Sequence, residues 1–174
     1  MCPCTFGNGQ KPLRPLHSAT HFRLGWKRSV PDTRGSGMTK LTLIASISLF
    51  GALGALTRIY LGGFIQGLLP AESPVRFTLG TLTVNVLGCF LFGVLGYLGH
   101  HTEWLSPFWR TVLLSGLLDS FTTFSTFAFE TVLLYENAAH GRLWLAAANV
   151  ALSVCLGIGG ILLGMQAGRL LSSG

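Results

Sequence analysis

The sequence predicts an all-α membrane protein with four transmembrane helices, the third broken near its middle, and three observations carry that expectation. Hydrophobic residues make up 49% of the chain and charged residues only 10%, a balance that suits lipid as the main solvent. Apolar residues gather into four blocks, at about 41–62, 77–98, 110–135 and 143–168, each near or beyond the roughly 20 residues that cross a bilayer as helix. Inside the third block, the run "GLLDSFTTFSTFAFE" at 116–130 sets an Asp and several hydroxyls beside four phenylalanines.

Ahead of the first block, residues 1–37 mix Pro, Gly, His, Ser and Arg without apolar periodicity. Such a segment cannot bury a core and is expected to be disordered. Lys11, Arg14, Arg23, Lys27, Arg28 and Arg34 all lie here with a single acid, Asp32, so the basic excess belongs to this leader. The remainder carries six basic residues against Glu72, Glu103, Asp119, Glu130 and Glu136. A nucleic-acid surface, which needs basic groups clustered on one face, is excluded. The leader lacks the apolar run of a secretory signal, and Met38 opens "MTKLTLIASISLFGALGALTRIY" as a natural start. Residues 1–37 are therefore expected to be an upstream mistranslation, an added segment or a weak basic tail, and 38–174 the working domain. Cys2, Cys4, His17 and His21 raise zinc binding, but one short Cys pair lacks the matching half that a four-ligand site needs.

The first block carries Gly51 and Gly54, with Arg58 toward its end; the second carries Gly88, Gly93 and Asn85; the fourth carries Gly160, Gly164, Gly168, Asn149 and Ser153. "GLLPAESPVR", "GHHTEWLSP" and "ENAAHGR" punctuate the joints. Small residues in lipid let helix backbones approach closely, and packing is the favoured reading for these glycines. Cys89 and Cys155 fall in apolar surroundings, where thiols act as small hydrophobes. Taken singly, Asn85 and Asn149 fit interhelical hydrogen bonding as well as a pathway, Arg58 fits a snorkelling side chain, and Glu130 fits a partner to a neighbour or a loop-facing acid.

Orientation follows from Lys and Arg on the two sides. Lys40, Arg110 and Arg169 fall on one, against Arg76, Arg142 and Arg58 on the other. With three against three, the domain has no strong reason to insert one way only, so dual topology and an antiparallel homodimer are expected.

The third block departs from a plain spanning helix. In "DSFTTFSTF", Asp, Ser and Thr compete for backbone groups and favour caps and breaks over helix interiors. A break at membrane depth exposes amides and carbonyls that only protein or a polar ligand can satisfy, which suits an ion site. Phe124 and Phe127, three apart, share a face of the half-helix after the break, with Phe121 a step back. Aromatic rings have positive edges, so a small anion can be held there without a formal charge. Ser125 and Asn85 can replace part of its water shell. Ordinary packing aromatics explain such spacing about as well on chemistry alone.

"FGALGALTRIY" (50–60), "GTLTVNVLGCFLFG" (80–93), "TTFSTFAFE" (122–130) and "NVALSVCLG" (149–157) together resemble the Fluc, or CrcB, fluoride channels. The motifs occur in order, one per helix, over essentially all of 38–174. The resemblance implies a dual-topology antiparallel homodimer in the cell inner membrane that exports fluoride passively, protecting the cytoplasm from fluoride that enters as the permeant acid HF. It implies two anion paths lined by Phe124, Phe127 and Asn85, with Ser125 and Ser153 at polar pathway positions. It also implies a structural sodium, Na+, at the dimer centre, held by backbone carbonyls at Asp119 and Thr122. The implied partners are fluoride, a second copy of the chain and the lipid bilayer, with no nucleic acid.

Asp119-Ser120 stands where the family usually has Gly-Gly. A carbonyl ligand is available from any residue, so sodium binding is expected to persist, but glycine's backbone freedom is lost and a carboxylate is added near the central axis. A small multidrug transporter shares four helices and dual topology, but proteins of that kind resemble one another in an acidic residue within the first helix, where this chain has Arg58. A membrane enzyme needs convergent acid, base or nucleophile groups, and Asp119 and Glu130 stand eleven residues apart with His100, His101 and His140 in loops.

Overall fold

The computed structural model describes residues 40–73, 75–102, 105–136 and 143–173. Expectations for 1–37, and those for Glu103, His140 and Arg142, lie outside the described residues. Among the described residues there are four candidate membrane spans: Lys40–Gly67, Arg76–His101, Pro107–Glu136 and Leu143–Ser172. The first, second and fourth are single helices, α1 (Lys40–Gly67), α2 (Arg76–His101) and α6 (Leu143–Ser172). The third is composite: α3 (Pro107–Thr111), a π-helical segment (Val112–Leu118), α4 (Asp119–Phe121) and α5 (Phe124–Glu136). Every span runs past its apolar block because helix continues into polar ends. Arg58 consequently lies well inside α1 rather than near its end.

Local chemistry sets the boundaries. Ser106 caps α3, accepting from the Trp109 N–H at 3.4 Å, with Pro107 at the first helical position, where a missing N–H and fixed φ suit a helix start. Thr102 closes α2, its N–H and hydroxyl both donating to the Leu98 carbonyl. The α1–α2 turn is tied by Arg76 Nε donating to the Gln66 carbonyl at 2.8 Å.

Glycines set the packing. A Cβ on Gly93 would strike the Ile161 carbonyl, and one on Gly164 the Phe90 carbonyl. With Gly160 against Val86 and Gly168 against Tyr97, α2 and α6 run parallel in close backbone contact. Gly51 meets Ser120, and Gly54 meets the Leu117 carbonyl, so α1 runs parallel to the third span. Gly80 lies against Gly62, while Thr81 and Asn85 of α2 reach Glu130 and Thr123, so α2 is antiparallel to both α1 and the third span. The chain therefore crosses in alternating directions.

Among the described residues the buried core is small. Val84 and Val112 are fully buried, joined by Leu114, Leu118, Phe121, Thr81 and Thr123. Outward faces of α1 and α6 show Leu49, Leu53, Ile59, Leu162 and Leu163, as spans whose surroundings are hydrocarbon require. Hydroxyls of Thr57, Thr83 and Thr131 donate to the carbonyls four residues back, so these polar groups are satisfied within their own helices.

Candidate functional site

The third span stops being a regular helix in two places. Over Val112–Leu118 the ladder slips to π spacing, and the Asp119 N–H reaches the Leu114 carbonyl; such single-turn widenings occur often at functional sites. Helix then resumes through Asp119–Phe121 and ends at Thr122, which is extended at φ −82°, ψ 157°. The break thus falls at Thr122 and Thr123, the Thr-Thr pair within the "DSFTTFSTF" run. Asp119 is right-handed helical at φ −64°, ψ −28°. Glycine's freedom is not needed there, and the Asp-Ser pair fits without strain.

Asn85 of α2 faces the break. Its Oδ1 accepts the Thr123 N–H at 2.8 Å and its Nδ2 donates to the Thr123 carbonyl at 3.0 Å. A continuous helix would give that N–H to the Asp119 carbonyl; here it goes to a side chain. Thr123 then caps α5, its hydroxyl accepting from the Thr126 N–H at 3.3 Å and donating to Thr126 Oγ1 at 3.0 Å, with Ser125 Oγ at 3.4 Å. The Thr122 hydroxyl turns back to the Leu118 carbonyl at 3.2 Å.

Phe124 opens α5 and is 79% exposed in the single chain. Its ring centroid lies 5.7 Å from that of Phe127, with the planes tilted by 51°, within the range of interacting aromatic pairs. Phe121 does not join them: it is buried, with its ring against Gly88 on the other side of the break. Ser125 and Asp119 are exposed, and Ser153 is half-buried.

Ser153 is linked to α5 through a chain of hydrogen bonds. Its hydroxyl is 3.5 Å from Asn149 Oδ1, Asn149 Nδ2 donates to Thr131 Oγ1 at 2.7 Å, and Thr131 donates to the Phe127 carbonyl at 2.8 Å. A polar thread therefore runs from α6 to the Phe127 backbone carbonyl on α5. Glu130 faces α2, neither Asp119 nor a loop. It is buried, its Oε1 accepts from the Thr81 hydroxyl at 2.8 Å, and its Oε2 has no hydrogen-bond partner among the described residues.

Comparison with known proteins settles the family. The sequence profile described as CrcB-like protein, Camphor Resistance (CrcB), matches residues 45–165, which reach into all four spans. The chain belongs to the CrcB family. It is 42% identical over 124 residues to the fluoride-specific ion channel FluC of Acidobacterium capsulatum, covering 71% of this chain and 93% of that protein. It is 42% identical over 128 residues to the FluC of Nitratidesulfovibrio vulgaris, covering 73% and 97%, and 40% identical over 131 residues to that of Solidesulfovibrio magneticus, covering 75% and 99%. Like those relatives it is a channel-family protein, not an enzyme, and a multi-pass membrane protein.

Within this CrcB chain, the residues expected to act together fall into three groups. Asn85, Phe124, Ser125 and Phe127 gather around the start of α5, Ser153 joins through Asn149 and Thr131, and Asp119 and Thr122 stand on the upstream side of the break. Sequence reasoning does not single out Thr123 from its run, nor Thr81 and Thr131. A Thr immediately before a new helical run is an N-cap signal, so Thr123 is open to detection. Thr81 and Thr131 become visible only when the helices are docked.

Proposed function

We propose that the protein is a fluoride-selective channel that lets fluoride leave the cytoplasm passively, as an antiparallel, dual-topology pair of identical chains. The observation that carries the reading is the Phe124–Phe127 pair at the first turn of a half-helix beginning inside the membrane. Ring edges and nearby hydroxyls suit a small anion that must shed water without meeting a full positive charge. The fluoride-specific names of the relatives and the balanced Lys and Arg of residues 38–174 support the same reading. Ser125, Asn85 and Ser153 supply hydroxyl and amide donors along the path. Flow needs no energy source: fluoride that entered as HF and ionised inside moves down its own electrochemical gradient.

A structural sodium at the dimer centre fits the donor set. Because Asn85 takes the Thr123 N–H, the Asp119 carbonyl is freed from the helical ladder, and unwound carbonyls at membrane depth are typical sodium ligands. The residues that would hold it are Asp119 and Thr122, through backbone oxygens, and the ion would supply positive charge joining the two breaks.

The test is export in cells. In bacteria lacking fluoride channels of their own, expression of this chain should lower internal fluoride and restore growth in fluoride medium. Equal internal fluoride with and without the chain, at matched membrane expression, would refute the reading. The small multidrug transporter alternative predicts resistance to cationic drugs instead.

A further inference from the structure

We propose that Thr123 is the positioning residue of the anion path: clasped by Asn85 and capping α5, it fixes where Phe124 and Phe127 stand. This rests on the channel reading above.

The N–H of the residue at a mid-membrane break has no helical neighbour to take it, and leaving it unpaired there is costly. Asn85 accepts that N–H and also donates to the Thr123 carbonyl, because a side-chain amide offers one acceptor and one donor in the spacing of a peptide group. The two bonds, at 2.8 and 3.0 Å, fix both the position and the tilt of this peptide against α2. The Thr123 side chain, 8% exposed, then fixes the direction in which α5 leaves the break. Its hydroxyl binds the Thr126 N–H, one of the first-turn amides that a helix cannot satisfy itself. All three polar groups of Thr123 are thus committed, to two different elements.

Phe124 is the next residue and is largely uncovered. Its place is therefore inherited from Thr123, and Phe127 comes one turn later on the same face. Asn85 has one acceptor and one N–H engaged in the clasp. Only its second Nδ2 hydrogen remains for an anion, so Asn85 serves the path first as scaffold.

The test compares Thr123→Ser, which keeps the hydroxyl, with Thr123→Val, which keeps the shape without it. Fluoride efflux from liposomes, the fluoride-to-chloride ratio and the melting midpoint are read for each. Thr123→Ser should conduct within about twofold of the parent, and Thr123→Val should fall about fivefold or more with lowered selectivity, as the loss of an N-cap hydroxyl implies. Thr123→Val conducting like the parent with the same selectivity overturns the proposal, as does failure of Thr123→Ser to rescue.

If Thr123→Val does not fold, amide hydrogen exchange of the unaltered protein in nanodiscs decides. Thr123 and Thr126 should exchange as slowly as the interior of α5, and exchange as fast as Ala71 and Glu72 overturns the clasp. An unaltered protein that passes no fluoride refutes the channel reading, while the exchange result still decides the clasp.

Discussion

Replacing Gly88 with Ala puts a methyl group where α2 touches the break. A Cβ at this position would collide with the Thr122 methyl and lie 3.1 and 3.5 Å from Cδ1 and Cε1 of Phe121. Neither neighbour has room to give way. Phe121 is 5% exposed, and Thr122 is held by its bond to the Leu118 carbonyl. Relief comes either by turning Thr122 and losing that bond, at about 0.5–1.5 kcal/mol, or by moving α2 outward. Outward movement pulls on Asn85, three residues earlier on the same helix face, and so on the Thr123 clasp. Overpacking of this kind costs about 1–3 kcal/mol, which for a chain of this size lowers the melting midpoint by roughly 4–8 °C at the middle of that range. Gly96→Ala is the control. It lies on the same helix with nothing within 4 Å of its Cβ, so it should be neutral or slightly stabilising. Melting in detergent and fluoride efflux from liposomes are measured for both. If Gly88→Ala matches Gly96→Ala in both readouts, the close approach of α2 to the break is refuted.

Phe124→Ile keeps apolar bulk but removes the ring edge, so efflux should fall about tenfold or more with little change in melting; unchanged efflux would remove the ring pair from the path. Thr81→Val deletes the hydroxyl bonded to Glu130 and leaves a buried carboxyl unpaired, which should cost about 1–3 kcal/mol, while Thr81→Ser should not. Equal melting of all three proteins would show that Glu130 is satisfied elsewhere. Purification with N-methylglucamine in place of sodium should lower melting and conduction together, both restored by added sodium; conduction and melting indifferent to the exchange would rule the ion out.

Four spans, the interruption of the third and the pairing of Phe124 with Phe127 were legible in the sequence, because each rests on local pattern: apolar length, helix-breaking hydroxyls and three-residue spacing. The break's exact place was less so. Asp119 and Ser120 look like breakers by propensity, yet they remain helical because the π-turn before them and the close fit of Ser120 to Gly51 outweigh a weak local preference. The partners of Asn85, Glu130 and Asn149 were not legible. These helices are apolar nearly all round, so periodicity does not say which face meets which neighbour. That rotation is set by the glycine contacts between α2 and α6 and between α1 and the third span, which appear only in three dimensions.

Selective passage of fluoride along the uncharged surface at the break is the proposal on which everything else depends. Ion release reads it from liposomes reconstituted with the purified chain and loaded with fluoride or chloride, with potassium current supplied by valinomycin. Rapid fluoride release with chloride retained is the expected result. No fluoride release, or release of both ions at equal rates, would contradict it.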